Sequence, residues 1–396
     1  LDKVIVLAPA RVARDVWPKE SKSWSHLAKK ELAKVHHLKG NPAERRKVWN
    51  SNARVVSLSI ELVPWLIESG LLDAPGVKFG LIIDELTRFK SPGARCVQKL
   101  RTRLDRFRWR AGLTGTPVSD SWLGLYSMCL MIDGGKTFGT RFDAWRARYF
   151  DPQDYEQHSW ALSPGSDKAL AARIAPLFYE LPDYRATLPA LRVETVSVPL
   201  PADARAVYET MASECIVGDV EAVNEAVLVG KLQQLANGFL YRNEARTAER
   251  YHTAKIGAAV SLLDGSPTVI VYWYGADRDA LLERLPSARL GTEKGVLDDW
   301  NAGKVGTLLL HPRSAGHGLN LQAGGARMIW LGPQWSRDLH DQTIARLWRQ
   351  GQTRPVHVSI LAAFGTVDSA VLARLDSKAA YERELSVHFA SLNKSS

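Results

Sequence analysis

Short runs of β-branched and aliphatic residues recur along the chain, separated by stretches whose apolar positions fall at helical spacing. In the first half the runs are Val4–Ala8, Arg54–Ser59, Gly80–Ile83 and Arg110–Thr114. In the second half they are Thr195–Leu200, Thr268–Trp273, Gly306–Leu310, Arg327–Leu331 and Val356–Ala362. A run that is apolar at every position predicts a strand buried on both faces, as in a parallel sheet covered by helices. Two such series in succession predict an α/β protein of two tandem parallel-sheet domains, and a length of 396 residues suits that number. Between the series, from about Phe138 to Ala190, the periodicity weakens and Pro152, Pro164, Pro176, Pro182 and Pro189 punctuate the chain. A second insertion, mostly helical, is predicted from Ala202 to about Arg250, with helices over Ala204–Ser213 and Glu221–Asn237.

Composition changes this picture little. No stretch reaches the roughly 18 consecutive apolar residues of a membrane helix, and no signal peptide opens the chain. Cys96, Cys129 and Cys215 lie far apart, with neither metal-ligand spacing nor a disulfide framework, so a reducing cytoplasmic setting in a bacterial or phage-infected cell is expected. A net charge of +10 favours polyanionic partners, because Lys and Arg displace counterions from a phosphate backbone. The partner expected is nucleic acid, not a membrane.

Candidate chemistry sits at the ends of the predicted strands. Gly80-Leu81-Ile82-Ile83-Asp84-Glu85 places two carboxylates at the carboxyl end of an apolar strand, where open α/β sheets bind their ligands. Asp84 is suited to hold Mg²⁺ through waters, and Glu85 to orient or deprotonate the water that attacks a γ-phosphate. Taken alone, the pair fits two exposed acids opening a loop equally well. Further on, Gln342, Arg346 and Arg349 are spaced i, i+4, i+7, which predicts one face of a helix ended by Gly351. The run Arg101, Arg103, Arg106, Arg108 and Arg110 is expected to be a solvated helix face. His311 and His317 lack a neighbouring cysteine or acid, so no metal site is expected there.

Leu81 through Lys90 resembles motif II of the superfamily 2 helicases, in the Swi/Snf-like branch and in the style of its phage and prophage members; Leu86 and Thr87 stand where the common form has Ala-His. Val4 to Trp24 is similar to motif Ia, Val55–Ser59 to motif Ib and Leu113-Thr114-Gly115-Thr116-Pro117 to motif III. Leu309 to Gln322 is similar to motif V, and Asp341 to Gln352 to motif VI. The resemblance implies two RecA-like lobes, about 1–187 and 188–396, with insertions near 138–187 and 202–250. It implies ATP with Mg²⁺ at Asp84, catalysis by Glu85 and Asp84, and Arg346 and Arg349 as arginine fingers across the cleft. Gln342, Gly318, Thr114 and Thr116 would bind or sense the nucleotide. Pro9, Arg11, Ser57 and Ser314 would meet nucleic acid, double-stranded DNA first among the options. The activity implied is that of a DNA-dependent ATPase, a helicase or translocase. A restriction-system motor, an RNA helicase and a non-catalytic nucleic-acid-binding fragment share these features.

A phosphate-cradling loop should read G-x-x-x-x-G-K-[ST]. Gly134-Gly135-Lys136-Thr137 fails that pattern, because the position five before Gly135 is Leu130, and it comes after motif III. The loop is expected upstream of Leu1, and residues 1–396 alone are expected to hydrolyse ATP poorly.

Overall fold

β1 (Lys3–Ala8) runs through the middle of a parallel sheet, paired on one side with β3 (Val55–Ser59) and on the other with β4 (Phe79–Asp84). β2 (Val35–His37) and β5 (Phe107–Leu113) complete the order β2-β3-β1-β4-β5. The computed structural model describes residues 1–23, 34–115, 122–157, 159–179, 184–242, 247–315 and 319–376, and it divides into two compact units, Leu1–Leu181 and Pro182–Ala380.

In the first unit the central strands are largely apolar because they are buried, and the serines of β3 are buried with them. Ile5, Leu7, Val56, Leu58, Leu81 and Ile83 are fully buried, packed with side chains of the helices Val63–Glu68, Arg95–Arg101 and Leu123–Asp133. Beyond this sheet the helices Phe142–Tyr149 and Ser166–Ile174 flank an antiparallel hairpin of β6 (Phe150–Pro152) and β7 (Trp160–Leu162). Trp145 anchors that segment, its ring centroid 5.3 Å from those of both Tyr126 and Phe150.

The second unit opens with β8 (Leu191–Val198). Its insertion holds the helices Ala202–Glu214 and Glu225–Asn237 and two hairpins, β9 (Ile216–Val217) with β10 (Val220–Glu221) and β11 (Phe239–Arg242) with β12 (Thr247–Arg250). β13 (Thr268–Val271), β14 (Arg289–Leu290), β15 (Thr307–Leu310), β16 (Arg327–Trp330) and β17 (Val356–Ala363) then join β8 in a parallel sheet ordered β14-β15-β13-β16-β17-β8. Within β13, Val269 and Val271 face one hydrophobic core while Ile270 faces another, so both faces of the strand read as apolar. Both units are parallel-sheet α/β lobes that follow one another along the chain, the fold class expected from the sequence.

Several elements depart from the sequence expectations. β8 begins at Leu191 rather than Thr195: it is an edge strand with a mostly exposed polar start, so only its buried end reads as apolar. The second insertion helix begins at Glu225, not Glu221, because the Asn224 side chain accepts from the Val227 amide and sets the N-terminus there. The arginine run is not a helix face. Arg106 donates to the carbonyls of Leu72 and Ala74 at 2.7 and 2.8 Å, and Arg110 to those of Ile132 and Leu104 at 2.7 and 2.6 Å. These guanidinium groups clamp loops around β5. Among the described residues no helix is long and apolar enough to cross a membrane.

Candidate functional site

The carboxyl edge of the first sheet gathers the acidic pair. Register pairs Asp84 with Leu113, so Thr114 leaves β5 at the level where Glu85 leaves β4. Asp84 is half-buried, and its Oδ2 accepts a 2.8 Å bond from the indole Nε1–H of Trp17. Glu85 stands in the left-handed region, φ 60° and ψ 59°, which costs a non-glycine residue roughly 1–3 kcal/mol and is concentrated at functional sites. The 3₁₀ turn Leu86–Phe89 holds it there: Leu86 and Phe89 are buried, the Arg88 amide donates to the Glu85 carbonyl at 2.9 Å, and the Thr87 hydroxyl donates to Glu85 Oε1 at 2.7 Å. Leu86 and Thr87 therefore have jobs of their own. Leu86 packs so close to β5 that a Cβ at Gly112 would lie 2.6 Å from its Cδ2.

The remaining expected residues of the first unit are placed unevenly. Pro9 is buried and Arg11 half-buried, at the start of the helix after β1. That helix widens into a π-turn over Val12–Val16, where the Trp17 amide reaches back to the Val12 carbonyl. Ser57 is fully buried; its hydroxyl donates to the Ala13 carbonyl at 2.6 Å and lies 3.3 Å from His37 Nδ1. It sits beneath the surface bracing the π-turn, out of reach of a phosphate. Burial pushes the His37 pKa down, the Ser57 contact opposing it. Thr116 lies outside the described residues, as does Gly318 of the second unit.

In the second unit the loops after β13 and β15 meet. His311 stacks on Trp273 with centroids 5.2 Å apart and rings 21° from parallel, and the exposed Arg313 guanidinium lies 5.1 Å over the same indole. His311 Nδ1 accepts from the Arg313 amide at 3.2 Å, which leaves Nε2 to donate to the Trp273 carbonyl at 3.0 Å. Burial lowers the His311 pKa, and with both ring nitrogens occupied it is no metal ligand. No group of three or more His, Cys, Asp or Glu suited to a metal occurs among the described residues. Ser314, half-buried, donates its hydroxyl to the His311 carbonyl at 2.7 Å.

The arginine segment differs from its expected form. The helix runs Arg337–Ile344, with Ser336 as cap, and stops at Ala345. Gln342 is on it, but Arg346 and Arg349 come after it in tight turns, so the three do not share a helix face. The helix cannot continue because other elements take its carbonyls and side chains. The Leu321 amide donates to the Arg346 carbonyl at 3.0 Å, Leu347 is fully buried, and the Gln352 side-chain amide faces the carbonyls of Gln322, Gly325 and Leu347 at 3.0–3.2 Å. Arg349 donates to the Asn320 side chain. The structure thus joins the motif VI arginines to the tail of motif V. Burial raises the Asp341 pKa, but His340 and Arg337 outweigh it and hold the carboxyl below its usual range.

Behind this segment lies a buried polar cluster that the sequence did not point to. Lys255, fully buried, donates to Asp368 Oδ2 at 2.6 Å and Asn237 Oδ1 at 2.7 Å, and Asn237 donates to both oxygens of Asp277 at 3.1–3.2 Å. Burial raises the Asp277 pKa to about 6, against the Tyr274 amide, Lys255 and Asn237. Gly332, at the entrance to the arginine segment, packs on this cluster; a Cβ there would lie 2.9 Å from Asn237 Oδ1 and 3.2 Å from Lys255 Nζ. Trp335 then donates its indole N–H to Gln233 of the insertion helix at 2.9 Å.

No family model matches the chain. Putative protein p41 of Acyrthosiphon pisum secondary endosymbiont phage 1 is 30% identical over 403 aligned positions, spanning 96% of this chain and 86% of the phage protein. The chain belongs to the family of this phage protein. A shorter stretch of 66 residues, 17% of the chain and 8% of the relative, is 36% identical to the DNA repair and recombination protein RAD54-like of Drosophila ananassae. The Swi/Snf-like, phage-type resemblance carried by the motifs is borne out by these matches. Among solved structures, the chain is similar to the Sulfolobus solfataricus SWI2/SNF2 ATPase core in complex with dsDNA (17% identity, 99% of this chain and 84% of that one, TM-score 0.40). It is also similar to the C-terminal part of the Fun30 ATPase domain (14% identity, 48% and 89%, TM-score 0.38).

Proposed function

We propose that this chain is the motor core of a DNA-dependent ATPase that tracks along or separates double-stranded DNA. One observation carries the proposal: Asp84 and Glu85 lie at the carboxyl edge of a parallel sheet, each held by a neutral donor, Trp17 and Thr87. Neutral donors fix the side chains without pairing them with a cationic side chain, which suits a site that receives a metal ion and an attacking water. Asp84 offers hard carboxylate oxygen to Mg²⁺, which fits an ion that keeps most of its waters. When bound, Mg²⁺ supplies charge neutralisation on the phosphates. Glu85 orients the attacking water, and Arg346 and Arg349 are the proposed arginine fingers that stabilise transition-state charge. Gln342 and Thr114 contact or sense the nucleotide.

Arg11, Ser314 and the stacked Arg313 are the proposed phosphate contacts to DNA, with Pro9 shaping the turn that presents Arg11. Backbone contacts of this kind position a duplex without reading its sequence. Residues 1–396 contain no G-x-x-x-x-G-K-[ST], so this stretch alone turns ATP over weakly. The same observation favours a second reading, a nucleic-acid-binding module without catalysis. Joining the chain to a phosphate-binding loop and measuring ATP hydrolysis with duplex DNA, single-stranded DNA and RNA separates the possibilities. The motor reading expects stimulation, strongest with duplex DNA. Binding to DNA with no turnover under any condition would leave the module, and stimulation by RNA alone would make it an RNA helicase.

A further inference from the structure

We infer that Trp17 is a positioning residue for Asp84, the carboxylate assigned to the metal under the proposed function, on which this inference rests. Its indole Nε1–H donates to Asp84 Oδ2 at 2.8 Å across 67 residues of sequence. An indole N–H is a donor only, carries no charge and cannot itself ligate a cation. It therefore orients the carboxylate while leaving the charge and the second oxygen to the metal and its waters. A lysine or arginine in the same place would compete with the ion.

The path by which Trp17 arrives is built into the fold. The π-turn Val12–Val16 adds one residue to a helix of 3.6 residues per turn, swinging the next side chains about 100° farther round the axis. A wide turn leaves carbonyls poorly served, and the buried Ser57 hydroxyl takes up that of Ala13 at 2.6 Å. Ser57, on β3, thus braces the turn; the turn aims Trp17; and Trp17 sets Asp84 on β4. Partners of this outer kind typically contribute about 10- to 100-fold to metal affinity.

The test uses the indole ¹H–¹⁵N spectrum and Mn²⁺ binding, neither of which requires turnover. Comparing the full chain with its Trp17→Phe variant assigns the Trp17 resonance among the thirteen tryptophans. Trp17→Phe keeps an aromatic ring in place and removes the N–H; circular dichroism and the melting temperature verify that the fold survives. Three results are expected. The Trp17 resonance moves in Asp84→Asn, Mn²⁺ broadens it selectively in the unaltered chain, and Mn²⁺ affinity by electron paramagnetic resonance falls about 10- to 100-fold in folded Trp17→Phe. Unchanged Mn²⁺ affinity in Trp17→Phe, while Asp84→Asn abolishes binding, overturns the positioning role and leaves the functional reading standing. Mn²⁺ binding indifferent to Asp84→Asn removes the metal site itself, and both fall.

Discussion

Asp368→Ala offers a quantitative test of what the buried polar cluster contributes to the second unit. The substitution removes the 2.6 Å partner of Lys255, a side chain with no exposure, and orphans the Ala363 amide that donates to the same oxygen at 2.8 Å. The Lys255 ammonium would keep only Asn237 Oδ1, at 2.7 Å. Breaking a buried pair on one side costs about 3–5 kcal/mol, because the remaining charge is uncompensated. The loss is a large fraction of the roughly 5–15 kcal/mol that holds a domain together. At about 2–4 °C per kcal/mol for a unit of this size, the transition should fall by roughly 6–20 °C. Urea unfolding followed by circular dichroism, with calorimetry on the same samples, reads both quantities. The double variant Lys255→Met/Asp368→Leu should recover much of the loss, since apolar pairs replace buried ion pairs well. Removing the exposed Arg278–Asp279 pair, 42% and 62% exposed, should change stability by less than about 1 kcal/mol. A loss below about 1 kcal/mol in Asp368→Ala, or a double variant no better than the single, would refute the reasoning.

The same geometry leads to other outcomes. Glu85→Gln, in a protein joining this chain to a phosphate-binding loop, should abolish hydrolysis and retain ATP binding, read by steady-state turnover and by nucleotide fluorescence. Arg346→Ala should lower turnover on the order of 10³- to 10⁵-fold if that guanidinium stabilises transition-state charge, with little change in DNA binding. The raised pKa of Asp277, about 6 against 3.8 when unfolded, means that between those values the folded state binds the extra proton. This group therefore adds stability as pH falls from 6.5 towards 4. The stability of the unaltered chain minus that of Asp277→Asn should accordingly grow from pH 6.5 to 4.5 in urea titrations, and a constant difference would count against the shifted group.

Most strands legible in the sequence were those buried on both faces; the edge strand β5, predicted as Arg110–Thr114, is Phe107–Leu113, and its half that carries exposed Arg108 and Trp109 left no apolar run. β1, β3, β4, β13, β15, β16 and β17 show largely unbroken apolar runs because helices cover each side. β2 and β14, at three and two residues, are too short to leave a pattern, and β8 is mostly exposed along its start. The acidic pair was legible because its residue types and position announce their chemistry. Trp17 was not: it lay inside the motif Ia stretch, but its partner is 67 residues away and an indole reads as core. The clamps made by Arg106 and Arg110 end on backbone carbonyls, which leave no trace in a residue string. Helical spacing misled at Arg346 and Arg349 because Gln352 and Leu321 capture the backbone that would have continued the helix.

The proposal stands on Asp84 and Arg346 each acting in ATP hydrolysis, and the affinity for ADP with aluminium fluoride tests this most directly. Mimics of a transition state bind at least about 10²-fold tighter than ground-state ligands when the catalytic groups converge on them. In a protein carrying residues 1–396 and a phosphate-binding loop, ADP–aluminium fluoride should bind about 10²-fold tighter than ADP. Asp84→Asn and Arg346→Ala should each erase that margin while leaving ADP affinity within a few-fold. A margin that survives either substitution would contradict the account.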